Sequence, residues 1–274
     1  MKLIILAAGI GTRLMPLTRN TPKPLVDFGE GMTLLERQLD SIQKSGVIDE
    51  VVLVVGYLAH QIEAKISSYE KNGLKIKTIY NPFYATSNNL VSLWFAKPEM
   101  TGDFMITNGD NVFEPEVFRD FVQNSSEGII LSIRKKDLAK YQASDMKVTL
   151  TERNTASRVS KEIEHPEIHA ESPGLVKVSG ERHIKVYKDI LEELVRSQQH
   201  MNNFWLETFT HLHEKGYDVH THEIDGEKWI EVDFHAELDY FRKLFKEKPQ
   251  SDINADTRQE SSYGEGSRLE GSNL

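Results

Sequence analysis

Two short apolar runs without polar alternation stand near the start of the chain. They are KLIIL at 2–6 and EVVLVVG at 50–56, and runs of this kind are typical of strands buried on both faces of a parallel sheet. Between them TLLERQLDSIQKSG has helical periodicity, with Thr33 as the predicted N-cap and Gly46 as the predicted stop. The segment therefore predicts one βαβ unit.

The alternation of strands and helices continues through the first half of the chain. Further helices are predicted at 59–69, 87–96 and 114–122, and further strands at 75–80, 103–110 and 128–134. This order predicts an α/β fold with a Rossmann-like open sheet that is mixed but mostly parallel, with helices on both faces. Ligands of such sheets bind at the carboxyl ends of the strands.

The second half of the chain is less regular. Strands are predicted at 146–152, 157–163, 174–180, 219–224 and 229–233, and helices at 185–199, 203–216 and 236–248. We predict one domain over 1–248 with a small lobe within about 135–210. The remaining residues, 249–274, contain few apolar side chains, which predicts a disordered tail.

Composition excludes several classes of function. The formal net charge of −9 argues against a surface that coats nucleic acid, and the absence of cysteine excludes disulfides and thiolate metal sites. No apolar run approaches the roughly 18 residues of a membrane span, and the first run is too short for a signal peptide. We expect a cytoplasmic protein without nucleic-acid or membrane partners, and the oligomeric state stays open.

A loop rich in glycine and fixed positive charge follows the first predicted strand. In LAAGIGTRLMPLTRNTPKPLV, at 6–26, Gly9 and Gly11 let the backbone approach an anion, and Arg13 and Lys23 add charges suited to phosphates. The loop is not G-x-x-x-x-G-K-[ST], and it lacks the third glycine of the dinucleotide fingerprint. A triphosphate-sized anion site is the hypothesis, and a flexible surface loop with incidental charges is the alternative.

The complete string resembles the signature G-x-G-[TS]-R-x-x-P-L-T-x-x-x-P-K of nucleotidyltransferases that activate sugar 1-phosphates and related phosphorylated compounds. GYLAHQI at 56–62, GDN at 109–111 and IEVD at 230–233 follow in the family's order. The resemblance covers roughly 1–247 and implies the fold of nucleotide-diphospho-sugar transferases. It implies that Arg13 faces the β and γ phosphates of a nucleoside triphosphate and that Lys23 stabilises the α phosphate, so these two residues are the catalytic candidates. The implied nucleotide-binding residues are Leu6, Ala7, Ala8, Gly9, Gly11, Thr12, Arg13, Lys23, Gly56, Asn81 and Asn88.

Attack on an α phosphate gathers negative charge, which a divalent cation must neutralise. Mg²⁺ prefers hard oxygen ligands and takes one or two protein carboxylates. The resemblance makes Asp110, at the end of a predicted strand, and Asp233 the Mg²⁺ ligands. Glu231 lies two residues before Asp233 on a predicted strand and therefore points to the same side. An aspartate at the end of a strand often only stabilises a turn, and this is the alternative role of Asp110 when it is considered alone.

A second segment, NPFYATSNNLVSLW at 81–94, resembles the phosphocholine cytidylyltransferase branch, whose relatives also activate aminophosphonates. It implies CTP as nucleotide and a phosphocholine-like, aminoalkylphosphonate or hydroxyalkylphosphonate acceptor, with release of pyrophosphate. A choline-type acceptor needs an aromatic cage and a carboxylate. The acceptor-binding candidates are Asn88, Tyr141, Trp205 and Glu207. Helix capping is the alternative for Asn88, and core packing is the alternative for Trp205. The polar KYQASD and GLVKVSGER segments depart from the phosphocholine pattern and favour a smaller or more polar acceptor.

Two other functions stay open at this point. The first is a sugar-1-phosphate nucleotidyltransferase that uses UTP, dTTP or GTP, because the opening signature is shared with such enzymes. The second is a regulatory nucleotide-binding module without catalysis. The presence of Arg13, Lys23, Asp110 and Asp233 argues against this alternative.

Among the ten histidines, His220 and His222 have the spacing of a zinc-binding pair on a strand, but no third ligand accompanies them in sequence, so a solvent-facing strand is preferred. His235 lies beside Asp233 and is a further site candidate.

Overall fold

The computed structural model describes residues 1–29, 31–70, 74–236, 238–239 and 242. The predicted tail at 249–274 and most of the predicted helix at 236–248 lie outside the described residues. The strands are β1 Lys2–Ala7, β2 Glu50–Val55, β3 Lys75–Tyr80, β4 Phe104–Asn108, β5 Asn111–Phe113, β6 Ile129–Ile133, β7 Lys147–Leu150, β8 Ala156–Ser160, β9 Ala170–Glu171, β10 Val176–Val178, β11 His220–Glu223 and β12 Trp229–Glu231. The α-helices are α1 Leu34–Ser45, α2 Ala59–Glu70, α3 Asn89–Phe95, α4 Pro115–Gln123, α5 Glu181–Val195 and α6 Thr208–Glu214.

Seven strands form the central sheet in the order β11-β6-β10-β4-β1-β2-β3. Neighbouring strands are parallel except around β10, which runs antiparallel to both β4 and β6. The sheet is therefore mixed but mostly parallel, as predicted. The carboxyl ends of β1, β2 and β4 lie at one edge, and this edge carries the loops that the sequence assigns to the ligand.

Helices cover both faces of this sheet, because successive residues of each central strand point to opposite sides. On β1, Ile4 and Leu6 join a core with the apolar faces of α3, α5 and α6. Leu3 and Ile5 point the other way and pack against α1, α2 and α4. The predicted fold class is confirmed. No helix in the described part of the chain has the length and apolarity that crossing a membrane requires.

Helix α1 shows why the local sequence folds as predicted. Thr33 accepts a hydrogen bond from the backbone N–H of Glu36, and the Glu36 carboxylate accepts one from the backbone N–H of Thr33. This capping box satisfies two N–H groups that the helix cannot pair internally. Gly46 ends the helix in the left-handed region at φ 67°, where glycine is favoured.

Two smaller sheets, built mainly from the second half of the chain, pack around the ligand edge. Strands β8, β7 and β9 form an antiparallel sheet within the predicted lobe, and β12 pairs antiparallel with β5. The helix predicted at 203–216 is divided into a 3-10 turn at Trp205–Glu207 and α6. The 3-10 turn is held by a residue of α3, because the backbone N–H of Trp205 donates to the side-chain oxygen of Asn89. Strand β5 was not predicted, since its three residues pair with a strand more than a hundred positions later.

Candidate active site

A cavity of about 270 Å³ opens at the carboxyl ends of β1 and β4. The glycine-rich loop that follows β1 lines one side of it and contains a 3-10 turn at Thr12–Leu14. Gly11 adopts φ 70°, and its carbonyl accepts a hydrogen bond from Thr18 Oγ1 at 2.8 Å, which fixes the loop. The residues of β1 and the following loop that reach the cavity are Leu6, Ala7, Ala8, Gly9, Gly11, Arg13, Lys23 and Pro24.

Lys23 lies between two carboxylates on the cavity wall. Its Nζ is 2.8 Å from Asp110 Oδ2 and 2.8 Å from Asp233 Oδ1. Burial alone lowers the pKa of this ammonium, but the charges of Asp110 and Asp233 outweigh burial and leave the pKa above its ordinary value. Lys23 is therefore a fixed positive charge at the centre of the site.

Asp233 also binds the second cation of the loop. Its Oδ2 is 2.5 Å from Arg13 Nη1, and the Arg13 guanidinium lies 5.3 Å from the centroid of the Phe234 ring. Burial raises the pKa of Asp233, but the positive charges of Lys23 and Arg13 outweigh burial. The net pKa lies below its ordinary value, so the carboxyl stays ionised. Arg13 and Lys23, the two basic residues of the loop signature, therefore both bind Asp233.

Three carboxylates form an acidic cluster beside Lys23. Asp110, Glu231 and Asp233 each offer an oxygen, and these atoms lie within 4.8 Å of one another. The β5–β12 pairing sets this arrangement, because it places Glu231 opposite Asn111 and lets the backbone N–H of Val232 donate to the Asp110 carbonyl at 3.0 Å. Loss of solvation within the crowded cluster and the neighbouring carboxylates raise the pKa of Glu231 to about 8, although solvent still reaches its side chain.

This cluster fits a hard divalent cation. All three donors are carboxylates, which such ions prefer. Asp110 Oδ1 is buried and accepts no hydrogen bond from any described residue, so one ligand oxygen is unused. The candidate metal ligands Asp110 and Asp233 are therefore brought together, and Glu231 joins them.

Gly56, Asn81 and Thr12 are the other predicted nucleotide-binding residues, and each has a local structural role. A Cβ on Gly56 would lie 2.8 Å from the Ala8 carbonyl and 2.6 Å from Tyr84 Cβ, so this position needs glycine for close packing. Asn81 is fully buried, and its amide binds Ser92 Oγ and the backbone N–H of Phe83. Thr12 is exposed and begins the 3-10 turn. None of these three described residues lines the cavity.

Asn88 and Trp205 reach the cavity, and both also have structural roles. Asn88 caps α3 by accepting from the Asn89 backbone N–H at 2.8 Å, and its amide donates to the Asn202 carbonyl. Trp205 is fully buried in the core, and its Nε1 donates to Asn108 Oδ1 at 2.7 Å. The capping and packing alternatives are therefore observed alongside the positions on the cavity wall.

Tyr141 and Glu207, the remaining acceptor candidates, do not line the cavity in the described structure. The Tyr141 hydroxyl accepts from the backbone N–H of Lys136, whose ammonium lies 5.0 Å from the centroid of the ring. Glu207 is half-buried at the start of α6, and burial raises the pKa of its carboxyl. The residues named for a choline cage are thus not assembled around one point.

Sequence reasoning missed two cavity residues with clear chemistry. Lys161 follows β8, lines the cavity and places its ammonium 4.4 Å from the centroid of the Phe204 ring. Asn108 ends β4 and lies on the wall near Trp205. The signal for Asn108 was present in TNGDN, one position before the glycine, whereas nothing local marks Lys161 among the neighbouring basic residues.

The histidines lie outside the acidic cluster. His222 Nε2 is 2.7 Å from Asp120 Oδ2, and its ring packs edge-on against Phe121. His220 is exposed on the same strand. Within the described chain, neither belongs to a group of three potential metal ligands. His235 is exposed, and its Nε2 lies 2.9 Å from the Met15 carbonyl, so it supports the loop rather than facing the cavity.

The chain resembles curated cytidylyltransferases in sequence. It is 37% identical over 126 residues to choline-phosphate cytidylyltransferase of Streptococcus pneumoniae, a match that covers 46% of this chain and 52% of that protein. It is 27% identical over 260 residues to CTP:phosphoglutamine cytidylyltransferase of Campylobacter jejuni, covering 87% of this chain and 98% of that protein. The more identical match therefore spans only about half of its relative.

The fold and the family model agree with the sequence resemblance. The inositol-1-phosphate CTP transferase of T. maritima superimposes with a TM-score of 0.72 at 20% identity, covering 90% of this chain and 96% of that one, which shows the shared fold. The family model described as nucleotidyl transferase matches residues 2–164, more than half of the chain. The chain belongs to the nucleotidyl transferase family.

Proposed function

We propose that the protein is a CTP-dependent cytidylyltransferase that joins CMP to a small phosphorylated or phosphonate acceptor and releases pyrophosphate. The observation that carries this proposal is the position of Lys23 between Asp110 and Asp233 on the wall of the cavity. A triphosphate needs a fixed cation at the reacting phosphorus and a divalent ion beside it. One cluster of side chains supplies the fixed cation and the carboxylates that would hold the ion.

On the nucleotide side, the loop after β1 wraps the triphosphate. Gly9 leaves its backbone open to the cavity, since a Cβ there would meet nothing within 4 Å. Arg13 binds the outer phosphates, and Lys23 stabilises the charge that develops on the α phosphate. Both cations are held by carboxylates in the free protein, so they are oriented before the nucleotide arrives.

Asp110, Glu231 and Asp233 would hold Mg²⁺. The ion supplies neutralisation of triphosphate charge and orientation of the phosphates for in-line displacement. Lys23 and Arg13 offset part of the negative charge of the cluster in the protein alone, and the triphosphate then takes over part of their pairing. Removal of Mg²⁺ with EDTA therefore abolishes turnover under this proposal.

The acceptor needs no activation by a protein base. Its phosphate or phosphonate oxygen is already ionised near neutral pH, so alignment and charge stabilisation suffice for one direct displacement. Lys161 is the cation that the β7–β9 sheet brings to the cavity, and we assign it to the acceptor's anionic group. The lobe within about 135–210 is accordingly the acceptor-binding part of a domain that spans 1–248.

The choice of CTP and of a non-sugar acceptor rests on sequence similarity. One of the two relatives described above is named choline-phosphate cytidylyltransferase, and the other is named CTP:phosphoglutamine cytidylyltransferase. The segment at 81–94 resembles the same branch. Sugar 1-phosphates are the competing substrate class.

The test is a matrix of nucleotides and acceptors, read as pyrophosphate release with Mg²⁺. We expect CTP to exceed UTP, GTP, ATP and dTTP in kcat/KM with 2-aminoethylphosphonate, 2-hydroxyethylphosphonate or phosphocholine as acceptor. Highest kcat/KM for glucose 1-phosphate with UTP or dTTP would contradict the cytidylyltransferase proposal. No pyrophosphate release with any pair would favour a module without catalysis.

Gly11→Ala and Gly9→Ala form a matched pair that tests the loop. At Gly11 a Cβ would lie 3.0 Å from Lys23 Cβ, and the backbone is left-handed, so we expect destabilisation by about 1–3 kcal/mol. At Gly9 a Cβ meets nothing, so stability is retained, but the methyl group would occupy space that the triphosphate approaches. Thermal unfolding and the KM for CTP separate the two effects. Equal unfolding temperatures for both variants, or an unchanged KM for Gly9→Ala, would count against this role of the loop.

A further inference from the structure

Two asparagine side chains on the cavity wall have fixed orientations. Trp205 Nε1 donates to Asn108 Oδ1 at 2.7 Å, and Trp229 Nε1 donates to Asn111 Oδ1 at 3.1 Å. An indole N–H can only donate, so each amide must present its oxygen to the tryptophan. The NH₂ group of each asparagine is therefore directed away from its tryptophan.

Both NH₂ groups converge on Gly174. A Cβ on this residue would lie 3.0 Å from Asn111 Nδ2 and 3.2 Å from Asn108 Nδ2. Gly174 lines the cavity together with Asn108 and Asn111, and its φ of 74° favours glycine. Neither Nδ2 donates a hydrogen bond to a described residue. Neither is completely shut off from solvent. The two donors therefore lie side by side at Gly174, a residue of the cavity wall, and Asn111 is itself almost fully buried.

Outside the metal cluster, the described cavity lining offers no carboxylate to a cationic group. Among its described lining residues, the carboxylates are Asp110, Glu231 and Asp233, which we assign to Mg²⁺. The ring of Phe204 already faces the ammonium of Lys161. A quaternary or primary ammonium would meet donors and a like charge rather than a free carboxylate.

We propose that Asn108 and Asn111 bind an oxygen atom on the far end of the acceptor, so that the acceptor carries a hydroxyl, carboxylate or carboxamide there and not an ammonium. This inference rests on the proposed function and names its substrate class. An ammonium has no lone pair to accept from Nδ2. Binding it would leave both donors unpaired and desolvated, which costs about tenfold or more in affinity.

The test is equilibrium binding, measured by titration calorimetry with Mg²⁺ and α,β-methylene-CTP, which cannot be cleaved at the reacting bond. The probes are 2-hydroxyethylphosphonate and 2-aminoethylphosphonate, which differ only in the terminal group. We expect the hydroxyl compound to bind at least about tenfold tighter. Equal affinities, or tighter binding of the amine, would overturn the inference.

Asn108→Asp is the decisive variant, because the carboxylate still accepts from Trp205 but offers no donor to the cavity. We expect the preference for the hydroxyl compound to shrink or reverse. The same amide-to-acid change at the exposed Gln199 should leave the preference intact. Trp205→Phe, which removes the indole N–H without adding charge, should also weaken the preference and serves if Asn108→Asp does not fold. An unchanged ratio in a folded Asn108→Asp or Trp205→Phe protein would overturn the inference.

The outcomes separate this inference from the proposed function. Selective binding without pyrophosphate release from CTP would contradict the proposed function and leave the donor pair supported. Turnover with CTP but no preference between the two phosphonates would contradict the donor pair alone.

Discussion

Replacing Lys23 with methionine is expected to lower kcat by at least about a hundredfold, the scale expected when a preorganised charge at the reacting phosphorus is removed. The ammonium is held 2.8 Å from each of two carboxylates, so its position is fixed before substrate binds. Methionine keeps the volume of the side chain and removes only the charge. Steady-state kinetics under saturating Mg²⁺ and CTP measure the loss.

The variant needs a stability control, because losing Lys23 leaves Asp110 and Asp233 facing each other. We expect a lower unfolding temperature that Mg²⁺ largely restores, since the ion replaces the missing positive charge. Lys185→Met, at an exposed position paired with Asp189, should keep both activity and stability. A folded Lys23→Met protein with near-parental kcat would remove Lys23 from the mechanism.

Asp110→Asn is expected to lower turnover by at least about a hundredfold and to shift the Mg²⁺ dependence to higher concentration. The change replaces a charged ligand with a neutral one while keeping the shape of the side chain. It also takes one of two anionic partners from Lys23. Mg²⁺ titrations of activity, together with Mn²⁺ binding followed by electron paramagnetic resonance, measure both effects.

A matched change at a surface aspartate controls for charge alone. Asp137 is exposed and pairs only locally with Lys140 in the described structure, so Asp137→Asn should leave the Mg²⁺ dependence unchanged. Parental activity of Asp110→Asn at the same Mg²⁺ concentration would exclude Asp110 as a metal ligand.

The sequence predicted the fold best where local signals agree with tertiary packing. The apolar runs of β1 and β2 and the capped helix between them each satisfy strand or helix requirements within a few residues. The break before α6 was missed, because it depends on a hydrogen bond from the Trp205 backbone to Asn89, more than a hundred residues away. The short pairing of β5 with β12 was missed for the same reason.

The same distinction applies to the site. The loop signature and the two aspartates were predicted to meet, and the structure brings Lys23, Asp110 and Asp233 into direct contact. Those residues lie at strand ends or in a loop, where sheet topology decides proximity. The opposite wall is built by packing between the lobe and the sheet, so Lys161 and the orientation of Asn108 could not be predicted from local pattern.

The proposed reaction transfers the CMP group of CTP to a phosphorus-bound oxygen of a second molecule. Phosphorus-31 NMR of the protein with CTP, Mg²⁺ and 2-hydroxyethylphosphonate tests it most directly. We expect equal amounts of pyrophosphate and of a product with two coupled phosphorus signals, one from CMP and one from the phosphonate, and no product with the Lys23→Met protein. Release of inorganic phosphate instead of pyrophosphate, or a product without that coupling, would contradict it.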